Sequence, residues 1–235
     1  IEGFIYGNLW SDTAEEAVDL LSMELKGGEL PNAERLREGV IQINPGTKHT
    51  LVKKMEIENS AAVIEVQLDQ TTPRLRGTLM VLDTALQPQF YNELRTSQQL
   101  GYIVNSGMTE LEKTLSLIFL VQSGKYDAAT LEQKIDAFLP GFFSTFSEIP
   151  EEELETLKES VVNGKLQKAT SLSAEAGRLF NIAFEYDARF DYNSEEISAV
   201  EKLTREDLRR LVRNYLLPER MRSLVLRMVG QEHRS

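Results

Sequence analysis

The sequence predicts an α+β domain, a largely antiparallel sheet with helices packed on one face. Three observations carry that prediction. Strand-type runs come first, between residues 36 and 123, and the clearest, "AAVIEVQLD", alternates Ala62, Ile64, Val66 and Leu68 against Val63, Glu65, Gln67 and Asp69. Apolar stripes at helical spacing dominate from Asp127 onward. A last strand-like run, "SLVLRMV", returns after Pro218.

Taken in order, residues 1 to 9 have strand character and end in a turn at Gly7-Asn8. A helix follows, with Ala14, Ala17, Val18, Leu21 and Leu25 on one stripe. The stretch "KGGELPNAE" then places two glycines and a proline within nine residues, the best boundary in the chain. Residues 1–28 therefore read as the terminal strand and helix of a preceding domain, 29–35 as a linker, 36–230 as one domain and 231–235 as a frayed tail. The opening at Ile1 is expected to be a cut through something longer.

Within the larger domain, "LREGVIQI" and "AAVIEVQLD" are the first two expected strands. Thr72-Pro73 opens a helix as a cap followed by proline at the first helical position, with Leu75, Leu79, Leu82 and Leu86 as its stripe. Pro88 is expected to kink or restart it before Phe90 and Leu94. Two strands, "YIVNSGM" and "TLSLIFLVQS", then suggest a hairpin turning around Glu110-Leu111-Glu112. The second is apolar on both faces and belongs in the interior of the sheet. Leu131, Ile135, Phe138, Phe142 and Phe146 mark the next helix, with a kink expected at Pro140. Pro150 opens another whose first turn is acidic, and stripes at Leu172–Ala183 and Leu208–Tyr215 mark the last ones.

The totals bound the function. A chain of 235 residues can bury a full core, and 41% hydrophobic with 27% charged residues is an ordinary globular composition. A net charge of −11 makes nucleic acid and anionic membranes poor partners, and no run is long and apolar enough to span a bilayer. With no cysteine, disulfides, thiolate nucleophiles and cysteine-held metals are absent; the compartment stays open.

Chemistry-bearing motifs are few. There is no phosphate-binding glycine loop, no G-x-S-x-G elbow and no H-E-x-x-H or H-x-x-E-H helix. His49 and His233 stand alone and read as structural or solvated; no metal site is expected. Glu151, Glu152, Glu153 and Glu155 suit the positive end of a helix dipole. Arg205, Arg209, Arg210, Arg213, Arg220 and Arg222 suit a solvated face pairing with nearby acids.

The exception is "FYNELRTSQQLGYIV", residues 90–104. It holds an arginine and a tyrosine at the two ends of a tight helix-to-strand connection. At the mouth of a strand, Tyr102 can donate its hydroxyl to a carbonyl or an oxyanion. Arg95, seven residues earlier, can pair with a carboxylate or carbonyl through its planar fork. Gly101 permits the turn between them. Spacing alone equally allows Arg95 to cap the helix and Tyr102 to pack in the core.

Arg95-Thr96, Ser97-Gln98 and Gln99-Leu100-Gly101-Tyr102 resemble a motif in the C-terminal half of the insulinase/pitrilysin family of zinc metallopeptidases, with six identities in eight residues. The surroundings are similar in order. They include "YGNL" before a helix, the proline-interrupted helix, "VQS" at a strand end, "LSAEAGRLFNIAFEYDARFDYNSEE" and "LTREDLRRLV". The resemblance implies a clamshell of four similar α+β domains in two halves. It implies a zinc site, an inverted H-x-x-E-H with a distant glutamate, in the N-terminal half. This chain would be the non-catalytic C-terminal part, with no metal or catalytic residue of its own. Arg95 and Tyr102 would face the peptide substrate, and the partner would be the catalytic half of the same protein. A separate inactive subunit or scaffold beside a zinc-bearing chain is the alternative, and an unrelated α+β binding module the third.

Overall fold

The computed structural model describes residues 3–25, 31 and 39–233. They form two compact units, one of residues 1–39 with 167–192 and one of residues 40–166 with 193–235. The break near residue 39 lies beside the glycine- and proline-rich stretch. Residues 167–192, read from sequence as part of the larger domain, group instead with the N-terminal segment.

In the first unit, α1 (Ser11–Leu25) buries none of its residues. Residues 3–10 take no regular strand. Phe4 stacks on Tyr6 and meets Phe180 edge-on, both at 6.1 Å between ring centroids. Phe180 lies on α5 (Leu172–Glu185), whose N-terminus is capped by the Ser171 hydroxyl accepting from the Ala174 N–H.

The second unit is built on a five-stranded sheet: β1 (Lys48–Lys54), β2 (Ser60–Gln70), β3 (Ile103–Leu111), β4 (Thr114–Ser123) and β5 (Arg222–Val229), in the order β1-β5-β2-β4-β3. Every pairing is antiparallel except β1 with β5. The alternation read in β2 sets its faces. Ile64, Val66 and Leu68 are buried on the helical side together with Leu117, Phe119 and Val121 of β4 and Val225 of β5. Each such side chain contributes about 1.5–3 kcal/mol by leaving water. The opposite face, with Val63, Ile118, Leu120, Leu224 and Leu226, stays half-exposed.

Helices α2 (Pro73–Tyr91), α3 (Ala128–Ser147), α4 (Glu151–Leu166), α6 (Tyr192–Glu201) and α7 (Arg205–Leu211) complete this unit. Leu79, Leu82, Leu86 and Phe90 of α2 and Leu131, Ile135, Phe142 and Phe146 of α3 join one core with the sheet. Thr72 caps α2 by accepting from the Leu75 N–H at 3.1 Å, with Pro73 in the first turn, as the sequence predicts. Neither Pro88 nor Pro140 ends its helix; both rings sit on the exposed side.

Three local expectations change. The segment "LREGVIQI" is no strand where it is described: residues 39–44 are irregular, and Leu36, Arg37 and Glu38 lie outside the described residues. The first strand is "KHTLVKK", every residue of it exposed, so no burial alternation betrayed it. A parallel ladder with β5 holds it at the sheet edge, and charge ties its first residue to α3. Lys48 meets Glu132 at 2.6 Å and Asp136 at 2.5 Å, and Glu132 also accepts from Arg227 of β5 at 2.5 Å. The hairpin turns at Glu112-Lys113, both left-handed (φ 46° and 60°), one step past the expected centre.

The arginine cluster is a solvated face as read. Arg205 pairs with Glu151, Arg209 with Glu148 and Arg213 with Glu206. Residues 231–233 form a short 3-10 turn in which His233 Nδ1 lies 3.0 Å from the Ser60 hydroxyl.

Candidate functional site

Helix α2 widens at its end. Asn92–Ser97 form a π-helical turn, in which the Gln98 N–H donates to the Glu93 carbonyl at 2.9 Å. Such turns absorb one extra residue and recur at functional sites. Leu94 and Leu100, 0% and 2% exposed, anchor the segment in the core from either side. Thr96, Ser97 and Gln99 between them are exposed, and Arg95 and Gln98 are half-buried.

The reversal into β3 uses two different devices. Gln99 takes the left-handed conformation, φ 51°. Gly101 has ordinary φ, and its constraint is spatial: a Cβ there would lie 1.8 Å from the Gln122 carbonyl oxygen of β4. Only glycine lets the connection pass that close to the neighbouring strand.

Arg95 and Tyr102 are brought together. The Arg95 Nε–H donates to the Tyr102 carbonyl at 2.9 Å and Nη1 to the Tyr91 hydroxyl at 2.7 Å. The guanidinium also lies between two rings, 5.0 Å from the centroid of Tyr102 and 5.1 Å from that of Tyr91. Each such contact is worth about 0.5–1 kcal/mol at an exposed site. The packed-core alternative for Tyr102 does not hold, since the residue is 84% exposed. The Arg95 guanidinium lies over one side of its ring, and the rest of the side chain is open to solvent.

Tyr91 is the member of this cluster that the sequence reading missed. Its signal was present in the spacing, four residues before Arg95 on the same helix face.

Among the described residues, no group of three or more His, Asp or Glu stands close enough together to hold a metal ion. A cleft of about 400 Å³ between α2 and α7 contains Asp207, buried beneath Arg74. Burial pushes the Asp207 carboxyl up, but two hydrogen bonds from Arg74 (2.8 and 2.9 Å) and those from Thr204 outweigh it and hold it at about 2. That carboxylate is the third-position member of the capping box that Thr204 opens at the start of α7, accepting from the Thr204 N–H and hydroxyl.

With this geometry in place, the comparisons are specific. The family description "PQQ synthase PqqF-like, C-terminal lobe domain 4" matches residues 81–180, which include the whole Tyr91–Tyr102 cluster. The A-factor-processing enzyme of Saccharomyces cerevisiae is 26% identical over 235 residues, covering 98% of this chain and 23% of that protein. The insulin-degrading enzyme of Drosophila melanogaster is 23% identical over 239 residues, covering 98% of this chain and 24% of its own length. The crystal structure of pitrilysin shares the fold, with a TM-score of 0.82 at 20% identity over 97% of this chain and 24% of that one. The chain thus spans about a quarter of the length of the curated relatives it matches.

Proposed function

We propose that this chain, which is similar to the C-terminal lobe of insulinase/pitrilysin-type peptidases, encloses and positions peptides for hydrolysis at a zinc site elsewhere in the protein. The observation that supports this reading best is the pose of Tyr102. A large side chain 84% exposed would be mobile on an ordinary surface, yet here it is braced by a guanidinium that also grips its own carbonyl. Such a brace removes rotamer freedom in advance and presents the phenol as a ready donor.

A zinc ion bound in another part of the protein would supply the Lewis acidity that polarises the scissile carbonyl and activates water. The Tyr102 hydroxyl donates a hydrogen bond to the carbonyl oxygen as negative charge develops on it. Arg95 acts through position, holding the tyrosine and adding positive potential beside the developing charge. This chain supplies no group that attacks the peptide. Residues 1–28 are the closing elements of a preceding domain on this reading, which the exposed Val18, Leu21 and Leu25 of α1 support.

The test is Tyr102→Phe in the full-length protein, assayed with fluorogenic peptides. Loss of one charge-stabilising donor should lower kcat about 100-fold with KM nearly unchanged. Unchanged turnover would overturn the role given to Tyr102.

A further inference from the structure

The half-exposed face of the sheet carries a carboxylate at its centre. Register places Glu65 of β2 opposite Leu224 of β5 on one side and Ile118 of β4 on the other. Val63, on the same face, stands opposite Leu226 and Leu120. Leu51 of β1 extends that row beyond Leu226. Glu65 thus has apolar neighbours on both flanking strands, with Gln67 beside it along β2 and His49 beyond Leu224, and among the described residues it has no ion-pair or hydrogen-bond partner. The cation nearest by register, Arg222 opposite Gln67, gives its Nη1 to the Leu68 carbonyl at 2.8 Å.

A charge in that place constrains whatever covers it. An apolar layer laid over the face would strand the carboxylate without water or partner, which disfavours it. A covering segment that brings a cation to the same point turns the cost into a charge-assisted hydrogen bond. We infer that this face takes an extended apolar peptide with one lysine or arginine over Glu65. The inference rests on the reading of this chain as the wall of a peptide cleft.

The face is continuous with the Tyr102 cluster. Ile103, the next residue, is 42% exposed and stands on the same face, opposite Gln122 in the row that includes Ala61. Glu65 lies two strands across and four residues along from Ile103. At strand spacings of about 4.8 Å and rises of about 3.4 Å, that separation is roughly 16 Å, or about five residues of extended peptide. The basic residue should therefore fall about five positions from the residue held at Tyr102.

The experiment measures binding of fluorescent peptides to the full-length protein in chelator, so that cleavage does not intervene. Twelve-residue apolar peptides carry lysine, norleucine or glutamate at each position in turn. Wild type should prefer lysine to norleucine about three- to tenfold in Kd at one position only. Glu65→Gln should abolish that preference, tightening norleucine peptides because no carboxylate is stranded beneath them, and Glu65→Lys should transfer it to glutamate. Equal weakening of lysine and norleucine peptides, or a lysine preference that survives Glu65→Gln, would overturn the proposal. Turnover of the norleucine peptides by Tyr102→Phe reports separately on the cleft reading.

Discussion

Gly101→Ala should loosen the β3–β4 ladder because of one backbone oxygen. The added methyl would stand 1.8 Å from the Gln122 carbonyl oxygen, 2.9 Å from its carbonyl carbon and 3.3 Å from the Ser123 Cα. The oxygen must retreat to at least 3.0 Å, and it belongs to the main chain of an interior strand, so no rotamer relieves the contact. Ile103↔Gln122 is the first pair of the ladder, so the strain falls where pairing begins. Overpacking against backbone should cost about 2–3 kcal/mol. Gly107 on the same strand is the control: nothing lies within 4 Å of its Cβ position, and alanine there should be neutral or stabilising by about 0.5 kcal/mol. Native-state hydrogen exchange by mass spectrometry reads the difference. Amides of 103–111 and 114–123 should exchange about 30- to 150-fold faster in Gly101→Ala and at the wild-type rate or slower in Gly107→Ala. Wild-type protection in Gly101→Ala, or equal loss in both variants, would refute the reasoning.

Tyr91→Phe removes the acceptor for Arg95 Nη1 but keeps the ring beneath the guanidinium, so kcat should fall about two- to fivefold, far less than for Tyr102→Phe. Stability should depend on pH through Asp207. Its folded pKa, about 2, lies below the unfolded value, so its contribution of about 1–2 kcal/mol is present above pH 4 and is lost as pH falls toward 2. Asp207→Asn should flatten that acid limb in denaturant titrations from pH 5 to 2; an unchanged pH slope would remove Asp207 as its source. Glu132 also lies below its ordinary value: burial raises it, but Arg227 and Lys48 outweigh burial. Glu132→Gln should therefore speed hydrogen exchange in β1 at neutral pH about tenfold while leaving β3 unchanged.

What could be read from the sequence followed burial. β2, β4 and the stripes of α2 and α3 are legible because one side of each meets the core, and periodicity records that contact. β1 was invisible for the opposite reason: a sheet-edge strand exposed at every residue has no inside to mark, and the ladder with β5 and ion pairs from α3, rather than apolar contacts, hold it. Pro88 and Pro140 lie on exposed helix sides, and the long core stripes on either hand carry the helices past them. At the candidate site, the pairing of Arg95 with Tyr102 could be expected from the motif. The brace from Tyr91, the π-helical turn and the spatial demand at Gly101 all depend on where β4 passes, which a local reading does not contain.

The single parallel pair of the sheet also bears on biosynthesis. β5 lies between β1 and β2, so residues 48–54 have no strand beside them until the last strand of the described chain arrives. Lys48 must wait for Ser223, roughly 175 positions later, which at about 5–20 residues per second is on the order of 10–35 s of synthesis. During that interval the nascent chain exposes a strand rich in lysine, whose like charges resist pairing with a neighbour on the same polysome. The lysines that make β1 hard to recognise are thus what keeps it unpaired until β5 is complete.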